Sequence, residues 1–230
     1  MPSRSSWLPW LFTSCALFSS NSYAELSATV TAASDYLFNG VSQTDEDPAI
    51  QGSIDWSNKH GWYVGSWASN VDFGDDTDAE VDYYAGYSNN INDDVFYDVG
   101  FAHYTYVGGS NSSDINYTEV YLAMGYQSTQ LKAWYTNDYA GTDAGHYIIA
   151  LSHSLELTEQ VTLTFQIDRS ASLDDDKFVW DSNDDSYIHA KVETAFSWQS
   201  FDFAVSVEKT DLDYDDDIKL LGSVSYTFNF

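Results

Sequence analysis

Residues 161–168 read VTLTFQID, and the alternation is strict: Val161, Leu163, Phe165 and Ile167 take one face of an extended chain, Thr162, Thr164, Gln166 and Asp168 the other. Side chains along a strand point alternately to its two faces, so this pattern describes a sheet with one apolar and one polar side. The same pattern recurs along the chain. FDFAVSVE sets Phe201, Phe203, Val205 and Val207 against Asp202, Ala204, Ser206 and Glu208. EVDYYAGY sets Val81, Tyr83, Ala85 and Tyr87 against Glu80, Asp82 and Tyr84. YIHAKVET sets Ile188, Ala190 and Val192 against Tyr187, His189, Lys191 and Glu193, and IQGSIDW sets Ile50, Ile54 and Trp56 against Gln51, Ser53 and Asp55. Long helical periodicity is missing, and no later window holds about eighteen consecutive apolar residues, the length a membrane helix needs.

The alternating pieces predict strands over 26–38, 48–57, 61–70, 79–88, 95–106, 117–126, 130–137, 145–154, 161–169, 186–195, 201–209 and 218–230. That is twelve, to within two, because the pieces around Leu131 and His146 alternate poorly. The connections differ systematically. Those after even strands are short (SNKHG, SNNINDD, QST, SLELTEQ, SWQS), whereas those after odd strands are longer and acidic, as in NVDFGDDTDA, SLDDDKFVWDSNDDS and TDLDYDDD. Short turns at one end and long loops at the other is the layout of an outer-membrane barrel. A soluble sandwich also alternates, but nothing in it requires such segregation.

The two readings differ in where the apolar face looks: into a core, or out to lipid with the polar face lining a lumen. Closure favours the second, since lipid forbids the unpaired edges of an open sheet. Trp56, Trp62, Tyr83, Tyr87, Tyr97, Tyr126 and Phe228 fall on apolar faces, many near strand ends, as interfacial girdles require. The expected fold is therefore all-β: one antiparallel up-and-down transmembrane barrel over residues 25–230, with short periplasmic turns and acidic extracellular loops. An even strand count places both ends of the barrel in the periplasm.

Charge excludes one class of partner. The net charge is −28 with eight Lys and Arg in all, too few for phosphate contacts, so nucleic acid is not expected. Aromatics at 17% exclude a disordered acidic chain. Residues 1–24 carry Arg4, an apolar stretch from Trp7 to Phe18 and then Ser22-Tyr23-Ala24, the order of a secretory signal with cleavage after Ala24. An uncleaved anchor or a lipid on Cys15 are the alternatives. Cys15 is the only cysteine, so the mature barrel has no disulfide framework.

The segment TAASDYLFNGVSQTDEDPAIQGSIDW, followed by GWYVGSWASNVDFGDD and VDYYAGY, resembles the bacterial TorF-type porin family. Its opening pattern is matched here by Ser34, Asp35, Tyr36, Phe38, Gly40, Ser42, Gln43 and Thr44, and its W-A-S-N-V-D-F block by Trp67 through Phe73. The resemblance spans the mature chain and implies an outer-membrane channel; it brings no settled substrate or catalytic residue.

Candidate pore-lining residues follow from the polar faces: Lys132, Lys191, Lys219, Asp55, Glu80, Asp82, Glu193, Asp202 and Glu208. Opposed charges across a lumen orient and select solutes, or pair with one another as wall filling. Inward Tyr84, Trp134 and Tyr187 are bulky enough to obstruct it, and no long inward-folding loop is evident apart from residues 170–185. The acidic loops read as a solvated surface, a mouth that concentrates cations, or a Ca²⁺ or Mg²⁺ site. DLDYDDDIKLLG fails as an EF-hand, because Asp216 stands where Gly is required and Gly222 where Glu is required. Catalysis is not expected: Ser152 and His153 are neighbours in a strand and face opposite sides, and neither G-x-S-x-G nor H-E-x-x-H occurs. No cofactor is called for. The final SVSYTFNF ends in mid-pattern, with Tyr226, Phe228 and Phe230 resembling the signal read by the outer-membrane assembly machinery. The expected partners are outer-membrane lipid, that machinery, and small solutes or cations.

Overall fold

A computed structural model describes residues 25–182 and 184–230. The expected signal segment, 1–24, lies outside the described residues. The strands are β1 (Glu25–Ala33), β2 (Leu37–Phe38), β3 (Val41–Ser42), β4 (Ala49–Ser57), β5 (Trp62–Asn70), β6 (Thr77–Asn90) and β7 (Val95–Gly108). They continue as β8 (Tyr117–Tyr126), β9 (Thr129–Thr136), β10 (His146–Glu156), β11 (Val161–Ser172), β12 (Ser186–Trp198), β13 (Phe201–Thr210) and β14 (Lys219–Asn229). All except β2 and β3 join one closed antiparallel barrel of twelve strands, each paired with its chain neighbours, and β14 returns to pair with β1. The seam runs from Ser27 opposite Asn229 to Ala33 opposite Ser223. Every ladder thus has a partner on both sides, which is what a sheet without water around it requires.

The alternation sorts the side chains as its period demands. Phe165 is 43% exposed on the outside while Thr164 beside it is 2% exposed on the inside. Ile54 and Leu220 reach 62% and 73% exposure, values at odds with an aqueous surface built strand after strand in this way. The short connections (58–61, 91–94, 127–128, 157–160 and 199–200) share one rim with Glu25 and Phe230, and the six longer ones occupy the other. Around the turn rim the outward aromatics pack on one another, most of them edge to face and one pair stacked. Trp62 lies 5.0 Å from Tyr87, Phe196 stacks 4.9 Å from Phe203, and Tyr226 stands 5.3 Å from Phe201 and 4.6 Å from Phe228.

The first strand departs from expectation. It stops at Ala33, not at residue 38, and residues 34–48 turn back as the small hairpin β2–β3. Asn39 (φ 48°) and Gly40 (φ 86°) form its tip, and positive φ at both central residues is the type I′ geometry that Asn-Gly favours. The base is tied by Asp35, whose Oδ1 accepts from Ser42 Oγ at 2.8 Å and Thr44 Oγ1 at 2.8 Å. Tyr36 N donates to Thr44 Oγ1 at 3.2 Å, and Gln43 N donates to Tyr36 O at 2.7 Å. The family-like pattern at 34–44 is therefore a self-bonded hairpin and not the end of a strand. β11 runs on to Ser172, and the segment that reaches deepest among the walls is 34–48, which the alternation did not single out. Residues 173–185 lie across the loop rim, where the Trp180 ring stands 4.6 Å from Tyr187 and Nε1 donates to His146 Nε2 at 3.2 Å.

Candidate functional site

Charged residues of the strands converge on the inner face of the barrel, and two stretches of wall differ in how they handle them. On β11–β13, each carboxylate meets a cation or a donor. His189 sits between Asp168 (Nδ1 to Oδ2, 2.8 Å) and Glu208 (Nε2 to Oε2, 3.0 Å). Lys191 Nζ bridges Glu193 Oε2 at 2.9 Å and Glu208 Oε1 at 3.2 Å. Gln166 Nε2 donates to Asp168 Oδ2 at 2.8 Å and Ser206 Oγ to Glu208 Oε1 at 2.7 Å, so the acceptors are held from several strands at once. Antiparallel register supplies the geometry: Asp168 lies opposite His189, and Lys191 opposite Glu208.

On β6–β8 the carboxyls meet phenols. Glu80, Asp82 and Glu119 are essentially inaccessible. Tyr106 OH donates to Glu80 Oε1 at 3.3 Å and Tyr104 OH to Glu119 Oε2 at 2.9 Å. Glu80 Oε2, Glu119 Oε1 and both Asp82 oxygens find no hydrogen-bond partner. Buried polar atoms are nearly always satisfied, so these four oxygens mark this stretch as the less fully paired of the two. Tyr104 and Tyr117 stack at 4.5 Å behind it.

Toward the turn rim, tyrosine hydroxyls pair with aspartates. Tyr63 OH donates to Asp98 Oδ1 at 2.6 Å and also meets Tyr121 OH, while Tyr84 OH bonds Asp55. Gly86 makes this possible: a Cβ there would fall 2.2 Å from the Tyr63 hydroxyl. Lys132 Nζ lies over the rings of Tyr121 (4.3 Å) and Trp134 (4.6 Å), a cation–π seat, and its charge reaches Asp98 and Glu119. A small hollow between β1, β4 and β5 is lined by Thr29, Thr31, Gln51, Ser53 and Trp67.

Each residue expected to line a pore projects inward, but they do not form one group. Lys191, Glu193 and Glu208 are brought together, as are Glu80 and Asp82. Asp55 is held by Tyr84 and by Ser53 Oγ at 2.8 Å. Asp202 sits at the turn rim and accepts from Ser197 Oγ at 2.5 Å, while Lys219 sits at the loop rim between Asp215 (2.8 Å) and Glu46 (3.5 Å). Asp98, Glu119, Asp168 and His189 were missing from that set although they share its faces. Their signal was there in the alternation, and only the register says which charges meet. The bulky trio is buried inside: Tyr84 at 8%, Trp134 at 6% and Tyr187 at 3%. Ser152 and His153 do face opposite sides, and His153 Nδ1 bonds Thr129 Oγ1 at 2.9 Å across the outer surface. Among the described residues, no three His, Cys, Asp or Glu group as a metal ion would need. In the 137–145 loop, burial and nearby Tyr187 and Glu119 hold the Tyr139 phenol well above its ordinary pKa, so it stays neutral.

Three comparisons place this architecture. The family described as bacterial protein of unknown function (Gcw_chp) matches residues 18–172, more than half of the 230-residue chain. No curated protein sequence matches. Among solved structures, the KdgM porin is similar with a TM-score of 0.59 at 12% identity, covering 88% of this chain and 99% of that one. The NanC porin is similar with a TM-score of 0.58 at 9% identity, covering 89% and 100%. A KdgM porin in complex with disordered oligogalacturonate is similar with a TM-score of 0.57 at 11% identity, covering 89% and 99%. At such identities the likeness concerns the fold alone.

Proposed function

We propose, from the premise that this chain belongs to the Gcw_chp family of bacterial proteins, that it is an outer-membrane channel of the TorF-type porin kind for passive diffusion of small solutes. One observation carries the reading: a closed twelve-strand barrel has its charged and hydroxyl side chains inside and its large apolar side chains exposed outside. That polarity is inverted relative to a soluble domain and suits lipid around a wet lumen. Residues 1–24 serve as the export signal, and the outward Tyr226, Phe228 and Phe230 beside the seam as the mark for barrel assembly.

The channel prefers cations. Asp55, Glu80, Asp82, Asp98, Glu119, Asp168, Glu193, Asp202 and Glu208 face the lumen against Lys132, Lys191 and Lys219. The KdgM neighbour is known in complex with a polycarboxylate sugar; a lumen with this acidic excess repels such a solute and draws its opposite. The acidic loops add to the same field at the mouth.

A second reading has its own support. The loop-side half of the lumen is packed with side chains, which suits a non-conducting barrel that binds a partner through its acidic loops. Planar-bilayer recording of the refolded mature protein separates the two. Discrete ohmic steps with a reversal potential favouring cations are expected. Silence at every voltage from a folded barrel would leave the binding role standing instead.

A further inference from the structure

The hairpin β2–β3 touches nearly the whole circumference of the lumen from a single short loop. Tyr36 meets Trp67 of β5 edge-on at 5.2 Å. Phe38 meets Tyr104 of β7 at 6.2 Å and packs on the cluster of Tyr121, Trp134 and Ile148 from β8, β9 and β10. The tip reaches the opposite wall. Asn39 Nδ2 donates to Asp168 Oδ1 of β11 at 2.9 Å, and Tyr187 OH of β12 donates to Asn39 O at 3.0 Å. At Gly40 the approach is closest: a Cβ there would lie 2.6 Å from His189 Cδ2 and 2.6 Å from Thr210 Cγ2, on β12 and β13. An element that merely lined one wall would leave the others uncovered; this one spans from β5 to β13.

Accessibility agrees. Asn39 is 2% exposed and Thr44 1%, although both belong to a loop, and the wall residues around them (Glu119, His189, Tyr104) are closed to water. Loops ordinarily run over a surface, because their backbone needs solvent. This one is supplied instead by its own Asp35 and Thr44 and by the latch on Asp168 and Tyr187. The described residues of the 173–185 loop cover the rim above, where Trp180 packs on Tyr187 and His146.

We propose that the β2–β3 hairpin is the plug of the channel, that Gly40 and Asn39 are the residues that seat it, and that its withdrawal from the β11–β13 wall sets the conductance. The proposal rests on the channel reading above and adds to it the element that limits flow. Gly40 is decisive because no other residue both takes φ 86° without strain and clears the His189 ring. The Asn39 amide then fixes the depth of insertion through one buried charge-assisted bond.

The test compares single-channel conductance of the refolded mature protein with G40V, with N39A, and with a variant in which residues 36–43 are replaced by a short Gly-Ser link. Retained barrel structure is verified for each by resistance to unfolding in unheated SDS. Expected are a several-fold rise in conductance for G40V and for the shortened loop, and a smaller rise for N39A. Liposome swelling with uncharged sugars should follow the same order. If the wild type opens in steady steps and the folded shortened variant conducts no more, the plug is refuted while the channel stands. Silence from the wild type and every folded variant refutes the channel, and the plug with it. Should G40V not fold, the shortened loop, which leaves the wall untouched, decides alone.

Discussion

The stretches β11–β13 and β6–β8 of the same barrel bury comparable numbers of carboxyls by different chemistry. The first surrounds Asp168, Glu193 and Glu208 with Lys191, His189, Gln166 and Ser206; the second gives Glu80 and Glu119 a phenol each and leaves Asp82 without a donor. A buried ion pair is dangerous to halve, because the orphaned charge keeps its desolvation cost. A carboxyl facing a phenol has a hydrogen bond in place of an ion pair, so no cation can be taken from beside it. The paired wall is therefore the more sensitive of the two to the loss of one partner.

Unfolding and selectivity measurements can break that division. The largest effect is expected from K191M, which strands Glu193 and leaves Glu208 to His189 and Ser206: about 3–5 kcal/mol of barrel stability lost, read from urea unfolding in detergent or vesicles. A loss below about 1 kcal/mol would mean that water already serves those carboxylates. Y104F comes next, since Glu119 loses its remaining direct hydrogen bond; about 1.5–3 kcal/mol is expected in the same assay. D82N should act in the opposite direction. Both Asp82 oxygens lack a partner, and an amide in their place brings a donor to the inner face beside Glu80, for a gain of about 1 kcal/mol. A destabilised D82N would show that Asp82 is satisfied by something else. The smallest change is expected from K219E at the loop rim. There the exposed partner Glu46 and the bath screen the charge, and a slight rise in cation preference should vanish at high salt.

The sequence disclosed these walls unevenly. Period-two alternation assigned Phe165, Val205 or Ile188 to the outside and their neighbours to the inside, and twelve such pieces with segregated loops already implied closure. Pairing between walls was hidden: that Lys191 meets Glu208 depends on the register of β12 against β13, which alternation leaves free in steps of two. The hairpin was misread for a local reason. Leu37 and Phe38 prolong the pattern of β1, so extension looked continuous, and the contrary signal was the Asn39-Gly40 pair with Val41 and Ser42 after it. Even a correct hairpin would not have announced its inward seat, because its partners at Trp67, Asp168 and Thr210 lie far along the chain.

That seat binds the hairpin to the order in which the barrel is completed. Its base continues the seam, with Ser34 N donating to Gly222 O at 2.9 Å and Gly222 N to Ser34 Oγ at 3.0 Å, so the last strand fastens the first loop. The tip can find Asp168 and Tyr187 only after β11 and β12 exist, when most of the ring is already laid down. Such contacts across the length of the chain are the slow ones to form. The hairpin is thus enclosed like a clapper hung before the bell is cast shut, and an assembling chain that closes around a misplaced hairpin has to reopen the seam between β1 and β14 to correct it.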